Sequence, residues 1–137
     1  HNAMFTAAFD ERLKVVVSCC GFCSFAKYYG GNLKGWTSDR YMPRIASEYG
    51  NDPKKVPFDF SDVVTSFAPR AFLAVAPLKD GNFEVSGVKD VMAAAEPAYR
   101  ALGAQGNLKA IYPDAGHDFP EESRKAAYEF IDAQLKK

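Results

Sequence analysis

Asp80 and His117 are the two side chains whose types and positions suit acid–base chemistry. A carboxylate beside an imidazole fixes the tautomer of the ring and stabilises the imidazolium that forms when the ring takes up a proton. The chain has only two histidines, and His117 is the credible general base. Gly116 precedes it, and we expect that glycine to let the loop turn tightly. The sequence therefore predicts a pair formed by Asp80 and His117.

Two other carboxylates compete with Asp80 for this role. Asp114 and Asp118 lie within three residues of His117. Acids that are adjacent in sequence more often form hydrogen bonds within their own turn. Asp80 is therefore the preferred partner of the histidine.

Three apolar runs must position this pair. Residues 13–19, 71–76 and 108–112 have the near-continuous apolar character of strands buried on both faces, as in parallel sheets. Asp80 and His117 each follow the end of one of these runs. Because the carboxyl ends of parallel strands meet at one edge of a sheet, we expect the two side chains to lie close together there.

Helical patterns separate the predicted strands. The apolar period indicates helices over residues 88–102 and 120–135 and at the start of the chain. Pro97 predicts a kink or a break in the helix over residues 88–102, and Gly103 is its predicted C-cap. A short helix is expected over residues 62–67, with Ser61 as its N-cap.

This alternation of strands and helices predicts an α/β fold with a parallel sheet. We interpret residues 1–137 as part of a single domain. Three strands whose sequences all look central leave both edges of the sheet uncovered. The sequence therefore predicts that further strands of the same sheet lie outside this chain.

Residues 22–60 form a long aromatic-rich excursion between the first two strands. Two interpretations stay open: a lid or pocket wall near the site, or rings that pack an irregular loop onto the body. The excursion contains nine aromatic residues: Phe22, Phe25, Tyr28, Tyr29, Trp36, Tyr41, Tyr49, Phe58 and Phe60. Trp36, within it, and Phe83, after Asp80, are the candidates for substrate contact.

The composition argues against several partners. Seventeen basic and 17 acidic residues are well mixed, so nothing favours nucleic acid or an anionic membrane. No apolar stretch approaches the roughly 20 residues of a membrane span.

Cys19, Cys20 and Cys23 could suggest a metal or redox site, but zinc needs about four ligands and both histidines are distant in sequence. We predict buried apolar thiols, with no metal and no cofactor.

Three segments resemble a known family: HNAMFTAAFDERLKVVVSCCGF, PRAFLAVAPLKDGNFEVSGV and YPDAGHDFP. They are similar to α/β-hydrolases of the dienelactone hydrolase, prolyl oligopeptidase-like and acetyl esterase branch. The resemblance spans nearly the whole chain, and it implies the C-terminal portion of an α/β-hydrolase fold. It also implies that Asp80 and His117 are the acid and base of a Ser-His-Asp triad, in the family's chain order.

The nucleophile of that triad is missing from the sequence. No Gly-x-Ser-x-Gly occurs in the 137 residues. In relatives, a segment like His1-Asn2-Ala3 follows this elbow directly, which places the serine about four residues before His1. Ser18, Cys19 and Cys20 are poor substitutes, because they lack the glycine-flanked elbow that exposes a nucleophile.

The resemblance implies a serine hydrolase that cleaves a small-molecule ester. This chain alone is expected to be inactive, and its partner to be the N-terminal half of the same domain or a second copy of itself. Two alternatives stay open. One is a stand-alone, non-catalytic α/β binding module, and the other is a peptidase of the same superfamily.

Overall fold

The computed structural model describes residues 1–136. Its helices and strands, in chain order, are α1 (Asn2–Phe9), β1 (Val15–Cys19), α2 (Arg44–Ser47), α3 (Phe60–Thr65), β2 (Ala71–Val75), α4 (Val85–Ala101), β3 (Leu108–Ile111) and α5 (Glu121–Leu135). Short 3₁₀ helices occupy Tyr28–Gly31, Leu33–Trp36 and Gln105–Asn107. No helix within this described range is both long and apolar enough to cross a membrane.

The sheet is parallel, with strand order β1-β2-β3. Val15 pairs with Ala71, and Phe72 pairs with Leu108. The predicted fold class and the three predicted strands are therefore confirmed. All three carboxyl ends lie at the same edge, which brings together the loops that follow β2 and β3.

Burial differs between the three strands. Every residue of β2 is buried, β1 alternates between buried and partly buried, and no residue of β3 is fully buried. The prediction that all three strands are buried on both faces is thus wrong for the outer two. Within residues 1–136, each of them has a neighbouring strand on one side only, so less of the structure covers them.

Helix α4 runs without a break through Pro97. The prediction of a break or split is therefore wrong, although proline removes one backbone hydrogen bond. Ala95 and Tyr99, on either side of the proline, are both buried, and this packing holds the helix together. Gly103, just beyond its end, has a φ of 65° and suits the predicted termination.

Helix α3 is capped by Asp59, so the prediction of Ser61 as N-cap is wrong. The Asp59 carboxylate accepts hydrogen bonds from the Phe60 amide (2.6 Å) and the Asp62 amide, and the Asp62 carboxylate accepts one from the Asp59 amide (2.8 Å). This is the reciprocal arrangement of a capping box. The spacing Asp59-x-x-Asp62 is the sequence signal that predicts it.

The aromatic excursion supplies much of the core on one face of the sheet. Phe22, Phe25, Trp36 and Phe60 are all at most 4% exposed. The Phe25 amide also donates to the Asp59 carboxylate at 3.0 Å, which ties the excursion to the start of α3. On the other face, a smaller apolar cluster joins β2 to α5. The excursion is therefore packed into the body of the protein.

Candidate acid–base site

The loops after β2 and β3 are bonded to each other along their backbones. The Leu78 amide donates to the Pro113 carbonyl (2.9 Å), and the Lys79 amide donates to the Ala115 carbonyl (3.0 Å). Asp80 comes directly after Leu78 and Lys79, and His117 comes two residues after Ala115. The backbone therefore sets the distance between the two side chains.

His117 contacts Asp80 as the sequence predicts. Its Nδ1 lies 3.0 Å from Asp80 Oδ1 and 3.2 Å from Oδ2. The Asp80 side chain is 1% exposed, whereas that of His117 is 46% exposed. The carboxylate is thus enclosed, while the imidazole is open to solvent.

Backbone amides hold the Asp80 carboxylate in place. Oδ1 accepts hydrogen bonds from the amides of Asn82 (2.8 Å) and Phe83 (3.2 Å). Burial alone would raise the pKa of Asp80. These hydrogen bonds and the contact with His117 outweigh burial, so the pKa of Asp80 lies below its ordinary value. Asp80 is therefore an ionised acceptor for the ring N–H.

The competing acids serve other contacts. Asp114 forms an exposed ion pair with Lys79 at 2.6 Å, and the Asp118 carboxylate accepts from the Phe119 amide at 2.7 Å. Gly116 does not need to be glycine, because its backbone is outside the left-handed region and an added Cβ would meet only the Lys79 carbonyl at 3.9 Å. The tight turn expected from Gly116 is therefore not what places His117.

An open cavity of about 370 Å³ lies beside His117. Trp36 and Phe83 both line it, and the Phe83 ring centroid lies 5.9 Å from that of His117. Trp36 is 4% exposed, and its Nε1 is buried with no hydrogen-bond partner in the described part of the chain. Tyr28 and Tyr41 line the cavity as well. The excursion over residues 22–60 thus both packs the core and forms one wall of this cavity.

His1 also lines the cavity. Its ring stacks on Trp36, with 5.1 Å between the ring centroids. Gly21 packs close to it, since an added Cβ would lie 3.2 Å from the His1 nitrogen and 2.3 Å from Ser18 Oγ. Sequence patterns do not single out His1 or Gly21, because both contacts depend on how α1 meets the end of β1.

The three cysteines occupy two environments. Cys23 is fully buried, as predicted, but Cys19 and Cys20 are only partly buried. The Cys20 thiol donates to the Asp118 carbonyl at 3.3 Å, beside His117. Burial raises the pKa of the Cys20 thiol far above its ordinary value, so the thiol stays protonated near neutral pH. Ser18 is buried, with 4% of its surface exposed.

Known proteins were compared by sequence and by structure. No family model and no curated protein match the sequence. A glucuronoyl esterase of carbohydrate esterase family 15 from Caldicellulosiruptor kristjansonii matches with a TM-score of 0.76 and 25% identity, over 98% of this chain and 40% of that one. A glucuronoyl esterase from Solibacter usitatus matches with a TM-score of 0.75 and 17% identity, over 97% of this chain and 39% of that one.

A structure from Klebsiella pneumoniae, described as a dienelactone hydrolase, is similar at a lower level. Its TM-score is 0.50 and its identity 19%, over 98% of this chain and 47% of that one. Each likeness covers nearly all of this chain. The chain, however, spans less than half the length of each of these three proteins.

Proposed function

The chain has the fold of the C-terminal part of an α/β-hydrolase, and from this premise we propose that it carries the acid and the base of a Ser-His-Asp triad in an esterase. The contact between Asp80 and His117 carries the proposal. The enclosed, ionised Asp80 carboxylate accepts a hydrogen bond from one ring nitrogen of His117, while the ring itself borders an open cavity. This is the arrangement that a general base requires.

The proposed reaction is ester hydrolysis through an acyl-enzyme. With Nδ1–H donated to Asp80, His117 Nε2 takes the proton of a serine hydroxyl as the serine oxygen attacks the ester carbonyl. The imidazolium then gives this proton to the departing alcohol, and the acyl group stays on the serine. Water, deprotonated by the same ring, cleaves the acyl-serine and releases the carboxylic acid. Asp80 stabilises the imidazolium in both steps.

The serine is proposed to lie outside the 137 residues, shortly before His1. His1 lines the same cavity as His117, so residues joined to its nitrogen would begin at that cavity. The residue after the serine would donate one backbone N–H to the oxyanion. Without these groups, we expect the chain alone to be inactive.

Trp36 and Phe83 are proposed to contact the substrate. Both rings line the cavity beside His117. The Trp36 Nε1–H is buried and has no hydrogen-bond partner in residues 1–136, and we propose that it donates to a substrate oxygen once the indole turns toward the cavity. We propose a small-molecule ester as the substrate. Two of the similar structures are named glucuronoyl esterases, and an ester of a uronic acid is therefore a suitable second probe beside a simple acetate.

The free side of β1 is proposed to pair with the rest of the sheet. In residues 1–136, β1 pairs only with β2. On its other side, its backbone N–H and C=O groups have no neighbouring strand in this range. The proposed partner is the N-terminal half of the same domain. Size-exclusion chromatography of the 137-residue chain tests this: self-association or binding to the N-terminal half supports it. A stable monomer that does not bind the N-terminal half favours the non-catalytic binding module.

The function is tested with p-nitrophenyl acetate and the complete protein that contains this chain. We expect His117→Ala to lower kcat/KM by about 10³-fold or more. Asp114→Asn is the matched control, because it lies in the same loop but pairs with exposed Lys79, and it should retain activity. Full activity of His117→Ala would refute the proposal, as would turnover by the 137-residue chain that His117→Ala abolishes. Faster cleavage of a peptide than of any ester would instead indicate a peptidase.

A further inference from the structure

Three atoms that can bind a metal converge where β1 and β2 end. They are Cys20 Sγ, a carboxylate oxygen of Asp80 and a ring nitrogen of His117, and all three lie within 4.8 Å of one another. The sequence argued against a metal because the histidines are distant from the cysteines. The fold removes that objection, since it places the loop of His117 against the end of β1.

The separation of His117 and Asp80 is close to that of two zinc ligands, and Cys20 Sγ lies at most 4.8 Å from either. Tetrahedral zinc with bonds of about 2.0–2.3 Å holds its ligand atoms about 3.3–3.8 Å apart. His117 Nδ1 and Asp80 Oδ1 are already 3.0 Å apart. The His117 side chain is 46% exposed, so the ring can move the few tenths of an ångström that separate the observed distance from that between two zinc ligands, without disturbing the core.

The backbone directs Cys20 toward this site. Its φ of 49° is in the left-handed region, which is uncommon for a residue with a Cβ. The Cys20 amide donates to the Val75 carbonyl at 3.0 Å, which fixes the residue at the end of β2. Its Sγ therefore lies at the loop that carries His117, where it contacts the Asp118 carbonyl.

A second thiol is close enough to complete the coordination. Cys19 Sγ lies 3.6 Å from Cys20 Sγ, near the separation of about 3.8 Å that two thiolates adopt on one tetrahedral zinc. Thiolate, imidazole and carboxylate together favour zinc or cadmium, whereas calcium and magnesium prefer oxygen alone. The donor set therefore selects a soft or borderline divalent cation.

We propose that Cys20, Asp80 and His117 form a binding site for Zn²⁺, with Cys19 in reach of the fourth position, and that the bound ion blocks acid–base use of His117. On binding, the ion replaces the protons of the Cys20 thiol and of His117 Nδ1. The thiol proton passes to solvent, the ring takes a proton at Nε2 through solvent and stays neutral, and no electron transfer occurs. A ring that is bound to the metal cannot serve as the base oriented by Asp80. The blocking half of this proposal rests on the proposed esterase function.

Binding is tested with Cd²⁺ on the complete protein under reducing conditions, from the ultraviolet charge-transfer absorbance of cadmium–thiolate bonds. We expect one Cd²⁺ per chain, competed by Zn²⁺. Cys20→Ser and His117→Gln should each weaken binding at least about tenfold. Cys23→Ser is the matched control, because Cys23 is fully buried and is not among the three clustered ligands, and it should bind like the parent protein.

Equal binding by the Cys20→Ser and Cys23→Ser variants would overturn the site, as would binding that is insensitive to His117→Gln. His117 is exposed, so its variant tests the site even if Cys20→Ser disturbs the fold. Blocking is tested separately with p-nitrophenyl acetate, where Zn²⁺ should inhibit and a chelator should restore turnover. A protein that binds Cd²⁺ in this pattern but never cleaves an ester would refute the proposed function and leave the metal site standing. An esterase that Zn²⁺ does not inhibit would overturn the blocking half.

Discussion

The aromatic wall of residues 22–60 and the acid–base edge, which comprises the loops of Asp80 and His117, are built by different forces. Five of the nine rings of the wall are buried, and rings such as Phe25 and Phe60 pack against each other with centroids 5.4 Å apart. The acid–base edge is held by a few polar contacts, and its histidine is half exposed. Hydrophobic burial thus shapes the cavity, whereas hydrogen bonds place the groups proposed to react in it.

This difference separates the expected effects of substitution. A change at the edge removes a specific polar contact and should alter rate far more than stability. A change in the wall removes buried apolar area and should alter stability first. Trp36 belongs to both regions, since it is buried in the core and also lines the cavity.

The largest expected effect is that of Asp80→Asn on the rate of ester cleavage by the complete protein. An amide cannot hold His117 in the required tautomer or stabilise its cation, so kcat should fall by about 10³–10⁴-fold. The initial rate with p-nitrophenyl acetate measures this effect. A loss smaller than tenfold would mean that Asp80 is not the orienting acid.

The stability of Asp80→Asn across pH provides its control. Because the pKa of Asp80 is lowered in the folded chain, its carboxylate stabilises the fold above the ordinary pKa of an aspartate. That contribution disappears as the pH falls through the lowered pKa. The difference in unfolding free energy between the parent and Asp80→Asn should therefore shrink toward acid pH. A difference that grows instead would contradict the assigned direction of the shift.

A second effect concerns the wall and appears in stability. Phe25 is fully buried, so Phe25→Ala should lower the free energy of unfolding by about 3–5 kcal/mol. Phe9→Ala makes the same chemical change at a side chain that is 88% exposed, and it should cost less than about 1 kcal/mol. Urea denaturation of both variants measures the contrast. Similar losses at the two positions would show that the wall is not part of the core.

The smallest expected effect is that of Trp36→Phe. This substitution keeps an aromatic ring but removes the Nε1–H and part of the buried indole, so the free energy of unfolding should fall by about 1–2 kcal/mol, less than for Phe25→Ala. If the indole donates to the substrate, KM should rise severalfold while kcat stays within about twofold. Thermal unfolding and steady-state kinetics separate the two quantities. An unchanged KM would remove Trp36 from the proposed substrate contacts.

Sequence patterns were most informative for the strands and for the loops that follow them. Local apolar runs located β1, β2 and β3, and the rule for parallel sheets then paired Asp80 with His117 across 37 positions. The helix ends were harder, since several polar residues near α3 can act as caps. Only the hydrogen bonds show that Asp59, rather than Ser61, accepts from the first helical amide.

The sequence by itself determined the α/β class, the three strands and the contact of Asp80 with His117, because each follows from local composition and one topological rule. Tertiary structure alone decided that α4 continues through Pro97, that the aromatic segment is both core and wall, and that Cys20 meets the loop of His117. These features depend on contacts between distant segments, such as the Cys20–Asp118 hydrogen bond across 98 positions. The packing energy is a sum over such contacts, so no short stretch of sequence can predict it.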